Sequence, residues 1–342
     1  MTSLLVMGAG LIGLRHISAI KHSPDCQLAG VIEPNSDLHT DPEIRYFPSI
    51  DSVDVAAEGV IIATPTTLHA ANGIAAAARG WHMLIEKPVV AAPDEAPALI
   101  EAINSAGLHC LAGHHRRYHP SVLWLREAMR NEAIGQPVTS SLIWAMRKPD
   151  DYFAGNWRTT DGSPVMINLI HDIDLIRFVL GEIEEVTALA GAARRGGGRV
   201  ESGAVAMRLA SGLSATISFA DTTPSPWGFE AATGENPHIA ATRQDMWWIT
   251  GTRGGISFPS LTRWGGAKHW GEAARPQRHQ AARVAPLATQ LDHFIKVIRG
   301  IEAPLITVED AARSLEVTYD IEAVLAGQIA AASQHDETGT EQ

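Results

Sequence analysis

The feature that most limits what this chain can fold into is a glycine pattern near its amino end. Gly8, Gly10 and Gly13 follow an apolar run at residues 3–7 and open a segment with Leu14, Ile17 and Ile20 at helical spacing. Strand, tight turn and helix in that order make a phosphate cradle: Gly8 permits the turn, Gly10 lets the backbone at Leu11 and Ile12 approach a pyrophosphate, and Gly13 allows close helix–strand packing. A dinucleotide is the expected ligand. Glu33 ends the next apolar run, where a carboxylate can bind both hydroxyls of an adenosine ribose and repel a 2′-phosphate. NAD is therefore expected over NADP, with Arg45 and Lys21 as the cations that would have to reach such a phosphate. The plainer alternative is an ordinary glycine turn beside a surface Glu.

The alternation continues along the chain. Apolar runs at 27–32, 59–63, 83–85 and 108–112 are interleaved with Ala-rich helical stretches at 68–79 and 94–106, which implies a parallel sheet covered on both faces. The texture changes after residues 113–120. Strand-like runs follow at 137–146, 186–193, 203–209 and 213–219; Val205, Met207 and Leu209 alternate with Ala206 and Arg208 before Ser211 and Gly212 turn the chain back. Residues 222–238 and 265–285 read as long loops, and helical period returns at 287–299 and 307–327. The expected fold class is α/β: a dinucleotide-binding domain over 1–119, an α+β domain over 120–330, and a frayed polar tail over 331–342.

Composition narrows the partners. Asp and Glu total 38 against 27 Lys and Arg, and the resulting charge of -11 repels nucleic-acid backbones and anionic lipid, so neither nucleic acid nor membrane is an expected partner. The longest apolar stretch, 4–14, has no Lys or Arg before it and is shorter than the roughly 20 residues a spanning helix needs. Cys26 and Cys110, the only cysteines, give no CxxC pair and no zinc site, which fits a reducing cytoplasm.

Several residues can carry chemistry. Glu86-Lys87-Pro88 follows an apolar strand, so Lys87 falls at the carboxyl end of a parallel sheet, where ligands bind; a solvated strand-end Lys is the plainer alternative. A partly desolvated Lys there can take a hydroxyl proton or polarise a carbonyl. Asn168 and His171, at i and i+3 of a helical segment, are expected to share a face, with His171 matched to proton transfer and Asn168 to holding a hydroxyl. Asp172 and Asp174 point elsewhere. His115 and His119 are four apart, but no carboxylate or Cys completes a zinc set, so no metal is expected and His115 with Arg116 reads as a cationic rim. Thr64, Pro65 and His69 are placed to border the nicotinamide half of the dinucleotide, with helix capping by Thr66 or Thr67 as the alternative. Trp157, beside Arg158, is read as closing the pocket or else as core.

In this order and spacing, Gly8 to Gly13 with Glu33, Ala63-Thr64-Pro65 with His69, Glu86-Lys87-Pro88, Gly113 with Arg116-Arg117-Tyr118, and His171-Asp172-Ile173-Asp174 resemble the glucose-fructose oxidoreductase, inositol dehydrogenase and rhizopine-catabolism (Gfo/Idh/MocA) family. The resemblance spans most of the chain. It implies a Rossmann domain followed by a domain with a large, mostly antiparallel open sheet, and a homodimer or homotetramer built through that sheet. It also implies catalytic roles for Lys87 and His171, with Lys87 touching the cofactor ribose. Many members carry an Asp where Ile167 stands here, four residues before the His, so an orienting carboxylate is missing. The expected activity is hydride transfer between NAD and a secondary alcohol of a sugar, cyclitol or related polyhydroxylated ring. The rival readings are an NAD-dependent glycosidase of the same fold and a non-catalytic NAD or sugar sensor.

Overall fold

The computed structural model describes residues 1–153, 162–195, 199–236, 238–282 and 284–338. They divide into two units: Met1–Tyr118 with Val284–Glu316, and His119–Arg283 with Val317–Gln342. In the first, β1 (Thr2–Met7), β2 (Cys26–Ile32), β3 (Tyr46–Phe47), β4 (Gly59–Ile62), β5 (His82–Ile85) and β6 (Cys110–Ala112) form one sheet in the order β3-β2-β1-β4-β5-β6. Every neighbouring pair is parallel. The order reverses beside β1, and the crevice outside the carboxyl ends of β1 and β4 is where such sheets bind ligands. Val60, Ile61, Ile62, Met83, Leu84 and Ile85 are all buried, so these strands read as unbroken apolar runs because both faces are covered. The helices α1 (Leu11–His22), α2 (His69–Ala78) and α3 (Ala96–Ser105) connect them.

The second unit carries α4 (Pro120–Arg130), β7 (Pro137–Ala145), α5 (Ile170–Leu180), β8 (Ile183–Ala190), β9 (Ser202–Leu209), β10 (Ser214–Ala220), α6 (Phe229–Thr233), β11 (Trp247–Gly251), β12 (Gly254–Phe258), β13 (Thr262–Gly265) and β14 (Arg275–Arg278). Its eight-stranded sheet runs β14-β13-β12-β11-β7-β10-β9-β8, and only the central β7–β10 pair is parallel. One face is core: Leu142, Trp144, Val205, Met207, Leu209, Ala215, Ile217, Phe219, Trp247 and Ile249 are buried. The other is Thr- and Ser-rich and open, with Thr139 and Thr250 hydroxyls 2.7 Å apart, and it exposes Trp248 (37%) and Trp264 (45%).

Two stretches read as loops hold structure. Residues 222–238 contain α6, anchored by the buried Phe229, which stacks on Phe258 at 5.7 Å; one aromatic anchor leaves no periodic signal. Residues 265–285 contain β14, an exposed edge strand whose pairing with β13 is made by backbone alone, so its Arg, Pro and Gln give no alternation.

The closing helices are α7 (Pro286–Ile298) and α8 (Val308–Thr338). Within the 120–330 span expected for the second domain, Val284–Glu316 groups with the first unit. The cause is packing: Leu291, Phe294 and Ile295 of α7 join the cluster of Leu4, Val6, Ile17, Ile20, Val31 and Ile61. Gln290, fully buried, donates to the Ala112 carbonyl at 3.2 Å, fixing α7 to the end of β6. Among the described residues no helix is long and apolar enough to cross a membrane.

Candidate active site

The glycine loop has the geometry its sequence requires. Gly8 adopts φ +99°, and a Cβ there would lie 2.6 Å from the Ala63 carbonyl oxygen. A Cβ on Gly13 would lie 2.1 Å from the Gly8 carbonyl oxygen, so the helix seats on the loop only because that atom is missing. Gly10 faces open space: nothing lies within 4 Å of where its Cβ would be. It N-caps α1 without a side-chain cap, and no acidic residue stands in the first turn, so the backbone N–H groups of Leu11 and Ile12 and the positive helix end suit an anion.

Glu33 is buried and braces this loop. Its Oε2 accepts from Ala9 N–H at 2.9 Å and its Oε1 from Asn35 N–H at 2.9 Å. Each oxygen keeps further lone-pair capacity for a ribose hydroxyl. The two cations that would have to reach a 2′-phosphate are taken: Lys21 pairs with Asp41 at 2.5 Å and Arg45 with Asp54 at 2.6 Å. The hydrogen bond that Lys21 donates to Asp41 holds its amine above the ordinary range.

Past β4, Thr66 and Thr67 form a single 3-10 turn with Leu68 and cap nothing by side chain. Thr64 accepts from the Asn72 amide through Oγ1 at 3.0 Å. The buried His69 spends both ring nitrogens on backbone, at 2.7 Å from the Pro88 carbonyl oxygen and 2.9 Å from that of Thr64. It is therefore a brace where the sequence suggested a cofactor contact.

Glu86-Lys87-Pro88 leaves the carboxyl end of β5 as expected. The Glu86 carboxylate is buried, with Oε1 2.8 Å from His16 Nε2, while Oε2 accepts from Lys87 N–H at 3.2 Å. Burial pushes its carboxyl upward, but the His16 hydrogen bond and the charges of His16, His115 and Lys87 outweigh that and hold it at about 2. Gly113 packs against it, since a Cβ there would be 2.7 Å from Glu86 Cα.

The residues read as a cationic rim lie in the turn after β6. His115–Tyr118 is a 3-10 turn in which Arg116 is 1% exposed and Arg117 is buried against Asp310 at 2.5 Å; His115 alone is half-buried. His119 caps α4, its Nδ1 accepting from Ser121 N–H at 3.1 Å. Among the described residues no group of three His, Cys, Asp or Glu is placed to hold a metal ion.

In the second unit His171, Asp172 and Asp174 are buried in α5, and the helix is reached through a π turn at Val165–Leu169. Asn168 lies in that turn, so the α-helical i, i+3 face expected for Asn168 and His171 does not apply; a π turn carries an extra residue and rotates those before it. A carboxylate does reach the turn, from α8: Glu322 Oε1 accepts from Met166 N–H at 3.2 Å. Burial raises that carboxyl above its usual range, against hydrogen bonds from Ser163 and Met166 N–H. Trp157 lies outside the described residues.

Sequence reasoning missed His16, Glu322 and Lys148. His16 stands among Gly13, Ile17 and Ile20 on the buried face of α1, and a polar residue on an apolar stripe was the available signal. Lys148 is 8% exposed, 5.1 Å from the Tyr152 ring and 5.6 Å from that of Trp144, and its Nζ meets no hydrogen-bond acceptor among the described residues. Burial and the neighbouring Arg199 and Arg195 lower its amine to about 8 against the pull of Asp221 and Glu230.

Parallel sheet, glycine loop and buried acid at the end of β2 define a dinucleotide-binding protein of the doubly wound type. Residues 2–114 match the profile described as an oxidoreductase family with NAD-binding Rossmann fold, and residues 122–257 match the Gfo/Idh/MocA C-terminal domain. The chain belongs to the Gfo/Idh/MocA family, an NAD-binding oxidoreductase family.

The chain is similar to UDP-N-acetylglucosamine 3-dehydrogenase of Acidithiobacillus ferrooxidans, 33% identical over 52% of this chain and 56% of that one. Its solved structure superposes with a TM-score of 0.76 over 96% of this chain and 98% of that one. The scyllo-inositol 2-dehydrogenase (NAD(+)) of Bacillus subtilis is 25% identical over 77% of this chain and 74% of its own. The WlbA dehydrogenase of Bordetella pertussis, solved with NADH and UDP-GlcNAcA, has the same fold, with a TM-score of 0.74 over 94% of this chain and 95% of that one. In sequence, the chain spans about half the length of several curated relatives it matches.

Proposed function

We propose that this protein is an NAD-dependent dehydrogenase acting on a secondary alcohol of a sugar, cyclitol or similar polyhydroxylated ring. The observation that carries the reading is the pairing, within one sheet, of a glycine loop braced by Glu33 with a lysine at the end of β5. The residues fit the coenzyme: open space over Gly10, an uncapped α1 and a carboxylate where ribose hydroxyls would lie. When bound, NAD supplies the hydride acceptor, and that chemistry is the coenzyme's own.

The chain's residues then hold and move a proton. Lys87 takes the hydroxyl proton, or gives it back in the reverse direction, and the buried His171 is the second proton-handling group. Asn168 holds a substrate hydroxyl, and His115 with Arg116 orients the substrate's polar edge. Relatives named for UDP-N-acetylglucosamine and inositol support a ring substrate. The open Thr- and Ser-rich face with Trp248 and Trp264 supports a homo-oligomer through the second unit's sheet, and two buried free thiols suit a cytoplasmic setting. A panel of sugars, nucleotide sugars and inositols is assayed for NADH formation with wild type and Lys87→Ala. Turnover of at least one member by wild type alone is expected; a silent panel together with no NADH binding by fluorescence defeats the proposal.

A further inference from the structure

The short segment that carries Lys87 is held from two helices by two buried histidines. From α1, His16 reaches the Glu86 carboxylate at 2.8 Å; from the first residue of α2, His69 reaches the Pro88 carbonyl at 2.7 Å and, through its other nitrogen, the Thr64 carbonyl at 2.9 Å. Carbonyl oxygens only accept, so His69 holds the segment by donating a ring N–H. Both histidines are 1% exposed. We propose that His16 and His69 are positioning residues: a clamp on either side of Lys87 that fixes its backbone and, through Glu86, sets a fixed negative charge beside its ammonium.

The physical argument has two parts. An amine on a flexible stem keeps its rotamer freedom unless its own backbone is immobile, and here the residues before and after it are each tied to a different helix. The groups facing Glu86 are His16 from α1, Lys87 on its own segment and His115 from the turn after β6, all basic, so the buried carboxylate stays ionised. Its charge favours the protonated form of Lys87. His16 also stands one turn beyond Gly13, so the helix that presents its N-terminus to a pyrophosphate is the one that grips the lysine segment. This inference rests on the reading of Lys87 as the proton-handling group.

The test uses neither coenzyme nor substrate, so its failure is separable from that of the proposed activity. The full-length protein is acetylated with acetic anhydride across a pH series, and labelling of Lys87 is followed by mass spectrometry against the exposed Lys268. Glu86→Gln, close in shape, is expected to move the Lys87 midpoint down by about one pH unit, which is about tenfold faster labelling at neutral pH, whereas His16→Ala leaves the charge but frees its position and is expected to speed deuterium exchange in residues 86–90 by several-fold. His16→Gln keeps an N–H donor and is expected to restore most of the wild-type protection. For the other arm, His69→Ala is expected to speed deuterium exchange in residues 86–90 by about tenfold, with His69→Gln partly restoring protection. An unmoved midpoint in Glu86→Gln or unchanged exchange in His16→Ala, in protein whose thermal melt remains cooperative, overturns the His16 arm; unchanged exchange in His69→Ala overturns the other.

Discussion

In the first unit, Glu33 accepts from two backbone N–H groups, Glu86 meets His16, and Arg117 meets Asp310, so these buried charges end on partners at hydrogen-bond distance. In the second, Arg195 and Arg199 converge on Asp221 at 2.7 and 2.9 Å, and Arg199 also donates to the Gly162 carbonyl at 2.7 Å ahead of the π turn; beside them Lys148 sits among rings and meets no acceptor among the described residues. Satisfied buried charge fixes geometry, whereas an unsatisfied one costs free energy. The difference teaches that the coenzyme side is built for rigid placement, while the second unit carries a buried cation at a cost to stability.

The largest effect that separates the two regions concerns chemistry alone. Lys87→Met is expected to lower turnover by about 10²–10⁴-fold while NADH affinity, read by fluorescence titration, stays within a few-fold. Equal losses of both would break the assignment of placement to the loop and chemistry to the lysine. Next, Phe294→Ala removes a fully buried ring from the first unit and is expected to cost about 3–5 kcal/mol in chemical denaturation, with NADH binding weakened in proportion to the unfolded fraction.

Lys148 tests the second region. Its folded amine is lowered to about 8, so between there and the ordinary value of about 10.4 the unfolded chain holds more protons and stability rises with pH. Denaturation midpoints are expected to climb across that window by an amount worth about 1–3 kcal/mol, and Lys148→Met to flatten the slope and raise stability at pH 7. A slope unchanged by the substitution removes the contrast. The smallest effect is Glu33→Gln, which keeps one brace and drops the charge; the NAD-over-NADP preference in binding is expected to shrink by about tenfold.

How far these features were legible depends on range. The glycine loop, Glu33 and Lys87 follow local rules, since turn chemistry and the carboxyl end of an apolar strand are set within a dozen residues. The hairpin of β9 and β10 was equally plain from alternation. Side-chain pairings across long separations were not: His16 and Glu86 are 70 residues apart, and Met166 and Glu322 are 156 apart. The π turn escaped because one extra residue in a helical turn leaves the apolar pattern nearly intact. The burial of Arg117 was not legible either, because the acid that shelters it arrives 193 residues later.

That late arrival has a consequence for how the protein is made. The face formed by Leu4, Val6 and Ile61 acquires Leu291, Phe294 and Ile295 only after more than 220 further residues have been translated. A ribosome that has just released the nucleotide cradle therefore holds out an unfinished, sticky sheet, and it must synthesise all of the second unit's β-structure before the missing helix emerges to close it. Nascent chains halted before residue 286 should be the ones that chaperones hold longest.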